Sequence, residues 1–162
     1  MTAIDKLKAA FGDAVGTSEF RDNKRVTVPA EQSFDVLKLL KDAGFDFLSD
    51  IAGIDYLGYP DATDRFGVVY AITNLATGER LFVKTFVNDP DPELKSVYPL
   101  WKGADWMERE LFDMFGIRCV GHPDLRRILM PDAFEDFPLR KDYPLRGHGE
   151  RHNLPVLTRA ES

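Results

Sequence analysis

Two groups of residues have side chains that could do chemistry, and the first lies near the C-terminus. His148, Glu150 and His152 lie close together, as metal-binding His and Glu side chains often do. The zinc-protease motifs need the Glu directly after the first His or directly before the second, and here it lies between them. Gly147 and Gly149 would also interrupt a helix at this point. We therefore expect a polar segment here and not a metal site.

The second group surrounds the single cysteine, Cys119, which follows Arg118 and precedes His122 by three residues. A neighbouring cation can lower the pKa of a thiol and create a nucleophile, but a catalytic pair also needs the His beside the sulfur in space. We interpret Cys119 as a core or surface residue. One thiol cannot form an intramolecular disulfide, an iron–sulfur cluster or a Cys-rich zinc site.

The familiar nucleotide and nucleophile motifs are missing from the sequence. It contains no Gly-x-Gly-x-x-Gly, no Gly-x-x-x-x-Gly-Lys and no Gly-x-Ser-x-Gly. The sequence therefore lacks the two common phosphate-binding loops of nucleotide-binding proteins and the nucleophile turn of serine hydrolases. We predict that the chain has no catalytic, cofactor-binding or metal-ligating residue.

The overall composition limits the class of protein further. The chain has 162 residues, of which 44% are hydrophobic, and a net charge of −6. This acidity argues against a general nucleic-acid binder and against a basic membrane-surface helix. The N-terminus lacks the apolar region of a signal peptide, and no run approaches the roughly 18 apolar residues of a membrane span. We expect a reducing, intracellular compartment, with any membrane association made through partners.

A mixture of helices and strands positions these residues. Hydrophobic periodicity predicts helices over about 3–11, 31–43, 92–101 and 104–115, and strands near 13–20, 24–28, 45–51, 66–73 and 80–87. Gly44 and Gly116 mark helix ends, and residues 74–78 turn the last two strands into a hairpin. The predicted fold class is α+β, with a mainly antiparallel sheet and helices packed on it. The strand order does not follow from the sequence.

The helix over 104–115 has two distinct faces. Its apolar stripe is formed by Met107, Leu111, Met114 and Phe115, and it is widened by Trp106 and Phe112. Asp105, Arg109 and Asp113 follow one another at i, i+4 spacing, so either acid could reach the same guanidinium. Considered alone, the helix is explained equally well as an ordinary surface helix with weak, solvated ion pairs and as a functional segment.

The C-terminal part of the chain differs from the rest in composition. Residues 121–162 hold five of the ten prolines, and proline at this density disfavours regular structure. We predict an α+β domain over 1–120 and an extended, proline-rich tail over 121–162. Aromatic and aliphatic residues recur in this tail, so it either folds back on its own domain or docks on a partner.

Ten positions between 108 and 129 resemble the signature of the thirty-kilodalton (C) subunit family of respiratory complex I. The signature is Glu-Arg-Glu, an acid, two apolar residues, His or Lys, a basic residue or Pro, and two apolar residues at fixed spacing. It is matched by Glu108, Arg109, Glu110, Asp113, Met114, Phe115, His122, Arg126, Ile128 and Leu129. Residues 137–144, Phe-Pro-Leu-Arg-Lys-Asp-Tyr-Pro, resemble the family's tail. The motifs cover about 101–145, and the α+β pattern before them also fits.

The resemblance implies a non-catalytic subunit in the peripheral arm of a proton-translocating NADH–quinone oxidoreductase. Such a subunit holds no flavin or iron–sulfur cluster, and it packs on the quinone-site (D) subunit near the subunit with the terminal cluster. The whole complex carries electrons from NADH through FMN and iron–sulfur clusters to quinone, so the isolated chain is expected to be inactive. The implied location is the cytoplasmic side of the cell membrane, reached only through the complex.

The same resemblance turns the signature helix and the tail into a candidate docking surface. We expect Arg109 to be held by Asp105, Asp113 or a partner acid, and Glu108 and Glu110 to present charge to a basic neighbour. Partner acids are expected to meet Arg126, Arg127, Arg140 and Lys141. His122, Asp142 and Tyr143 complete the set of interface residues.

Two alternatives remain open on the sequence. Similar subunits occur in membrane-bound hydrogenases, formate hydrogenlyases and deazaflavin-dependent dehydrogenases. A free-standing small enzyme that uses His122 or Cys119 is the other possibility, and it predicts turnover by the isolated chain.

Overall fold

The computed structural model of the chain describes residues 2–150. Within this range the elements, in chain order, are α1 (Ala3–Phe11), β1 (Gly16–Phe20), β2 (Asn23–Thr27), α2 (Ala30–Asp42), β3 (Phe47–Asp55), β4 (Phe66–Thr73), β5 (Arg80–Val87), β6 (Glu93–Lys95), α3 (Ala104–Phe115) and β7 (Arg118–Val120). A short 3₁₀ turn, Gly12–Ala14, joins α1 to β1.

Five strands form the main sheet, in the order β1-β2-β5-β4-β3. All neighbours are antiparallel except β2 and β5, which run parallel. The β4–β5 hairpin pairs every residue from Phe66 with Val87 to Thr73 with Arg80. Its turn is held by the Asn74 side chain, whose Oδ1 accepts from the backbone N–H groups of Ala76 and Thr77. Side chains that alternate along these strands therefore point to two different faces of the sheet.

Helices α2 and α3 supply much of the core on one of these faces. Val36, Leu37 and Leu40 of α2 are fully buried in the same core as alternate residues of β4 and β5. Helix α3 packs across β3 at Gly53, where a Cβ atom would lie within 2.6 Å of the Phe115 ring. Only glycine allows so close a contact between helix and strand.

The fold class and most elements confirm the sequence prediction. The helices predicted over 3–11, 31–43 and 104–115 are α1, α2 and α3, and the strands predicted over 66–73 and 80–87 are β4 and β5. The first predicted strand, 13–20, begins only at Gly16, because the residues before it form the 3₁₀ turn.

The helix predicted over 92–101 is wrong. Glu93–Lys95 forms β6, which pairs in parallel with the unpredicted β7. Pro92 O accepts from Arg118 N, and Ser96 N donates to Val120 O, so these backbone groups bond to a distant strand and not along a helix. Leu94 is 3% exposed, which anchors the strand in the core.

Residues 121–150 contain no α-helix or strand, and they fold back on the domain. Leu139 N donates to Met114 O at 3.1 Å, and Phe134 is 5% exposed. Of the two arrangements expected for this segment, folding back on its own domain or docking on a partner, the described residues adopt the first. The last twelve residues of the predicted tail, 151–162, lie outside the described residues, and they include His152 of the group His148, Glu150 and His152. The domain division at residue 120 and the docking of the tail remain predictions.

Candidate docking site around helix α3

The Asp113 carboxylate joins α3 to the segment that follows it. Its side chain is fully buried, and Oδ2 accepts from three consecutive backbone N–H groups: Ile128 at 3.0 Å, Leu129 at 2.7 Å and Met130 at 2.8 Å. Oδ1 accepts from the Arg127 guanidinium at 2.7 Å. Burial by itself raises the pKa of Asp113, but these hydrogen bonds outweigh it and hold the pKa below its usual value.

Arg109 serves the same segment by a different route. Its Nε and Nη2 atoms donate to the backbone carbonyls of Arg126, at 3.2 Å, and Arg127, at 2.9 Å. Within residues 2–150 neither Asp105 nor Asp113 pairs with this guanidinium, since Asp105 lies near His122 and Asp113 binds Arg127. The third alternative, a partner acid, stays a prediction. Backbone carbonyls of a loop carry no sequence signal, and the i, i+4 spacing on the helix pointed to the wrong partners.

Glu108 is buried instead of exposed. Its side chain is 1% accessible and accepts from the Ser96 hydroxyl and the Val97 N–H, both at 2.6 Å. The expectation that it presents charge to a basic neighbour is therefore wrong. Burial raises the pKa of Glu108 above its usual value, although the two hydrogen bonds act in the opposite direction. The carboxyl connects α3 to the chain after β6.

His122 turns its ring into the interior of this chain. The imidazole is fully buried, with Nε2 at 3.2 Å from the Asp105 carbonyl oxygen. Its Nδ1 accepts from the Asp124 N–H at 3.1 Å, which leaves Nε2 to donate to the Asp105 carbonyl. Cys119 is also buried, and burial raises the pKa of its thiol well above the usual range. A thiol in this state is a poor nucleophile.

Arg127 and Arg140 fasten the returning segment at two further points. Besides its bond to Asp113, Arg127 donates to Asp136 O at 3.0 Å. Arg140 donates from Nε to Phe115 O at 2.6 Å, at the end of α3. The αL residue Gly116, at φ 76°, leaves room for this guanidinium, since a Cβ atom there would lie 2.7 Å from Arg140 Nη2. Both arginines thus have partners in their own chain.

The tail motif continues into a second ionic cluster. Asp55, 5% exposed, accepts from the Lys141 backbone N–H at 2.8 Å and lies 3.5 Å from Arg65. Arg65 also pairs with Asp89 and, at 2.7 Å, with Asp142. The hydrogen bond from Arg65 is the main reason that the pKa of Asp142 lies below its usual value. Sequence reasoning missed Arg65 and Asp55, because their partners lie far away along the chain.

Tyr143 closes the described part of the segment. Its hydroxyl donates to Glu150 at 2.7 Å, and this bond raises the pKa of Tyr143 to about 12. The ring makes edge contacts with Phe134 and His148, at centroid distances of 6.0 and 5.4 Å.

Some side chains of this region are exposed to solvent and are available to contact another subunit. Trp106 is 70% exposed, and Glu110, one turn further along the same side of α3, is also exposed. Glu110 and the exposed Leu139 line a cavity of about 160 Å³ between α3 and β3. We call Trp106, Glu110 and Leu139 the outer patch. Arg126 and the Lys141 side chain are exposed as well, and Arg126 pairs with the similarly exposed Asp124 at 2.9 Å.

The buried acids and arginines around α3 bind other segments of the same chain. In residues 2–150, no three His, Cys, Asp or Glu side chains come together as metal ligands do. No helix in this range has the length and apolar content needed to cross a bilayer. This small α+β chain, whose buried acids and arginines hold its own segments together, also leaves Trp106 and Leu139 exposed, as subunits of larger assemblies often do.

Comparisons with known proteins identify the kind of subunit. The family model for the respiratory-chain NADH dehydrogenase 30 Kd subunit matches residues 26–149. The C subunit of the NADH-quinone oxidoreductase of Roseiflexus sp. (strain RS-1) is 44% identical over 148 residues, which cover 89% of this chain and 83% of the relative. The fifth subunit of the Thermus thermophilus enzyme is 47% identical over 129 residues, 76% of this chain and 62% of the relative. The chain belongs to the family of the 30-kDa subunit of respiratory-chain NADH dehydrogenase, as the signature predicted.

Solved structures agree with this assignment. A trypsin-resistant fragment of Nqo5 superimposes with a TM-score of 0.70 at 38% identity, covering 76% of this chain and all of the fragment. A chain of the archaeal membrane-bound sulfane sulfur reductase has a TM-score of 0.77 over 96% of this chain and 91% of its own length. Its identity is only 21%, so that likeness concerns the fold alone.

Proposed function

We propose that this chain is a non-catalytic subunit in the peripheral arm of a proton-translocating NADH–quinone oxidoreductase. The observation that carries the proposal is the family match over residues 26–149, together with 44–47% identity to subunits of that enzyme. The iron–sulfur clusters are assigned to other subunits, because a typical cluster needs four cysteines and this chain has one. The FMN and the quinone are assigned to other subunits by the family resemblance.

Its role in the complex is to scaffold the quinone-site (D-type) subunit, with the terminal-cluster subunit nearby. The signature residues divide into two groups in this account. A positioning group fixes the segment after α3 by internal bonds: Glu108, Arg109, Asp113, His122, Arg127 and Arg140. A contact group faces the partners: Glu110, Arg126, Lys141, Asp142 and Tyr143. Two of its members, Asp142 and Tyr143, also have internal partners in Arg65 and Glu150. Exposed aromatic and arginine side chains are the usual anchors of such interfaces, and Trp106 extends the contact group. The complex holds the chain at the cytoplasmic side of the membrane.

The corresponding subunit of a related membrane complex is the second candidate. It is favoured by the shared fold with the sulfane sulfur reductase chain. The higher identity to the quinone-oxidoreductase subunits supports the first candidate. The subunits that co-purify decide between them, since a flavin-bearing NADH-oxidising subunit belongs to the first and not the second.

The test is to purify the complex from the native host through a tag on this chain and to identify its subunits by mass spectrometry. Trp106→Glu should reduce recovery of the D-type subunit about 30-fold, in line with the loss of a Trp anchor. Leu75→Glu is the matched control, because Leu75 is similarly exposed, at 66%, in the β4–β5 turn. Equal recovery with both variants would remove the outer patch from the docking surface. Absence of every other complex subunit from the wild-type preparation would overturn the proposed function itself.

A further inference from the structure

The sheet has a second face, which the helices leave open. The strand registers place Arg25 beside Phe82, Lys84 beside Val69, and Gly67 beside Ile54, all on the side opposite to Gly53 and helix α3. A hollow of about 300 Å³ lies on this face, and it is lined by residues of the strands and by Tyr56: Asn23, Arg25, Ile54, Tyr56, Val69, Phe82 and Lys84. No helix residue lines it.

The hollow combines an apolar floor with two cations. Ile54 is 37% exposed, and Val69 and Phe82 are partly exposed beside it. Arg25 and Lys84 stand on the neighbouring strands β2 and β5 as diagonal neighbours, which long side chains can bridge. An apolar floor of this kind lowers the local polarity once it is covered, and it thereby strengthens any ion pair formed above it.

Both cations lack a carboxylate partner within residues 2–150. Lys84 Nζ donates to the Tyr56 hydroxyl at 2.6 Å and lies 4.6 Å from the centres of the Tyr56 and Phe86 rings. The Arg25 guanidinium lies 5.3 Å from the centre of the Phe20 ring. Neither cation takes part in an ion pair of the described chain, although the protein as a whole has a net charge of −6.

Acids occur around the hollow but not inside it. Asp50 is on this face but on the edge strand β3, two strands from β5. Asp64, beyond Tyr56, accepts from Asn88 Nδ2 at 2.8 Å and from the Thr63 hydroxyl at 3.0 Å. The lining itself therefore carries two positive charges and no negative one.

We infer that this hollow is a second docking surface, and that its occupant is a segment of a neighbouring subunit in which an Asp or Glu is flanked by aliphatic residues. The aliphatic residues cover Ile54, Val69 and Phe82. The carboxylate meets the Arg25 guanidinium, which can bind it through two N–H groups, and the Lys84 ammonium. The inference rests on the proposed membership of a multisubunit complex. The hollow lies on one face of the sheet, whereas α3 and the outer patch lie on the other.

Differential labelling of lysines tests the inference on the complex as it is purified. An amine-reactive reagent should label Lys84 about tenfold less in the complex than in the isolated full chain, because a docked segment excludes the reagent. Lys38, exposed on α2, serves as the internal control and should react equally in both. A carbodiimide, which joins amines to carboxylates at direct contact, should link Lys84 to an Asp or Glu of another subunit.

Charge reversal gives an independent measurement. Arg25→Glu should lower recovery of the partner subunits about tenfold, with Lys38→Glu as the matched control. Thermal unfolding of the isolated variants separates lost docking from lost folding, since both positions are exposed.

Three results would overturn the inference. They are equal labelling of Lys84 in both samples, a cross-link from Lys84 only to an acid of this same chain, and unchanged recovery with Arg25→Glu. In each of these cases the complex still forms, so the proposed function stands. If the wild-type chain recovers no other subunit of the complex, the proposed function is wrong, and the inference, which rests on it, is wrong with it.

Discussion

The Asp113 carboxylate and the Arg127 guanidinium lie 2.7 Å apart in an ion pair with side-chain exposures of 0% and 11%. The pair fixes the beginning of the returning segment against α3, and the three N–H groups at 128–130 share the same carboxylate. Burial of an acid is tolerated here because both carboxylate oxygens accept hydrogen bonds and the charge is paired. The signature acid Asp113 thus binds another segment of its own chain.

Loss of the Asp113 carboxylate should be costly. Asp113→Ala leaves a buried guanidinium without its partner, and we expect the free energy of unfolding to fall by about 3–5 kcal/mol. Urea denaturation measures the change. Asp124→Ala is the control, because the Asp124–Arg126 pair is largely exposed on both sides and should contribute at most about 1 kcal/mol. Similar losses for the two variants would contradict the buried-pair account.

The same carboxylate should make stability depend on pH. The pKa of Asp113 in the folded chain lies below its ordinary value of 3.8, so its contribution is present above that pH and is lost as the pH falls through the folded value. The difference in unfolding free energy between wild type and Asp113→Asn should therefore shrink in acid. Urea curves at several pH values between neutrality and about pH 3 would show this, and a constant difference would exclude it.

Glu108 should have the opposite pH dependence. Burial raises its pKa in the folded chain above the ordinary value of 4.5, so its contribution is fully present below that pH and is lost as the pH rises through the folded value. Glu108→Gln, which mimics the protonated group, should gain stability relative to wild type as the pH rises above 4.5. Glu110→Gln removes an exposed carboxylate and is the matched control. If both variants responded alike to pH, burial of Glu108 would not be the cause.

The close packing at Gly116 predicts a difference between two glycine substitutions. Gly116 and Gly58 have similar positive φ values, 76° and 72°, so Ala adds comparable backbone strain at both positions. At Gly116 the new methyl group would also meet Arg140 and Phe137 at 2.7 Å, whereas nothing lies within 4 Å at Gly58. We expect Gly116→Ala to be the more destabilising by about 1–3 kcal/mol, as measured by thermal or urea unfolding. If both variants lost the same free energy of unfolding, the Arg140 side chain must move away from the new methyl group at no energetic cost.

Cys119 should be inert in the native chain. Its 3% exposure and raised thiol pKa predict that a thiol-specific chromogenic reagent reacts at least about 100-fold faster in denaturant than in buffer, because reaction requires opening of the fold. Rapid labelling of the folded chain would contradict this and would revive the alternative of a cysteine-dependent enzyme.

The sequence predicted elements well where the hydrophobic pattern repeats over several residues. Strand β5 alternates over eight residues, β4 is a nearly continuous apolar run of eight residues, and α3 shows an apolar stripe that ends before Gly116. The limits of these elements were therefore predicted within one residue. Strands β6 and β7 have three residues each, which is too short for a period to emerge. Their parallel pairing also joins one segment that precedes α3 in the sequence to one that follows it. The local hydrophobic pattern carries no information on contacts between segments so far apart in the chain.

Side-chain partners were the least predictable part of the site. The family signature identified the residues, but it did not distinguish buried Glu108 from exposed Glu110. That difference depends on Ser96 and Val97, which provide hydrogen bonds to Glu108 from the turn after β6. Likewise, the acids at 105 and 113 looked equivalent on the helix surface until the returning segment covered one of them.

The two ways in which α3 holds the following segment have different evolutionary consequences. Arg109 binds backbone carbonyls at 126 and 127, so drift in the side chain at 126 leaves its bond to that position intact. Asp113 accepts from three backbone N–H groups and from the Arg127 side chain, so a substitution at 127 removes one of these bonds and leaves the other three. Covariation among diverged relatives should therefore link 113 with 127 only weakly and leave 109 statistically silent, because backbone groups make most of both attachments.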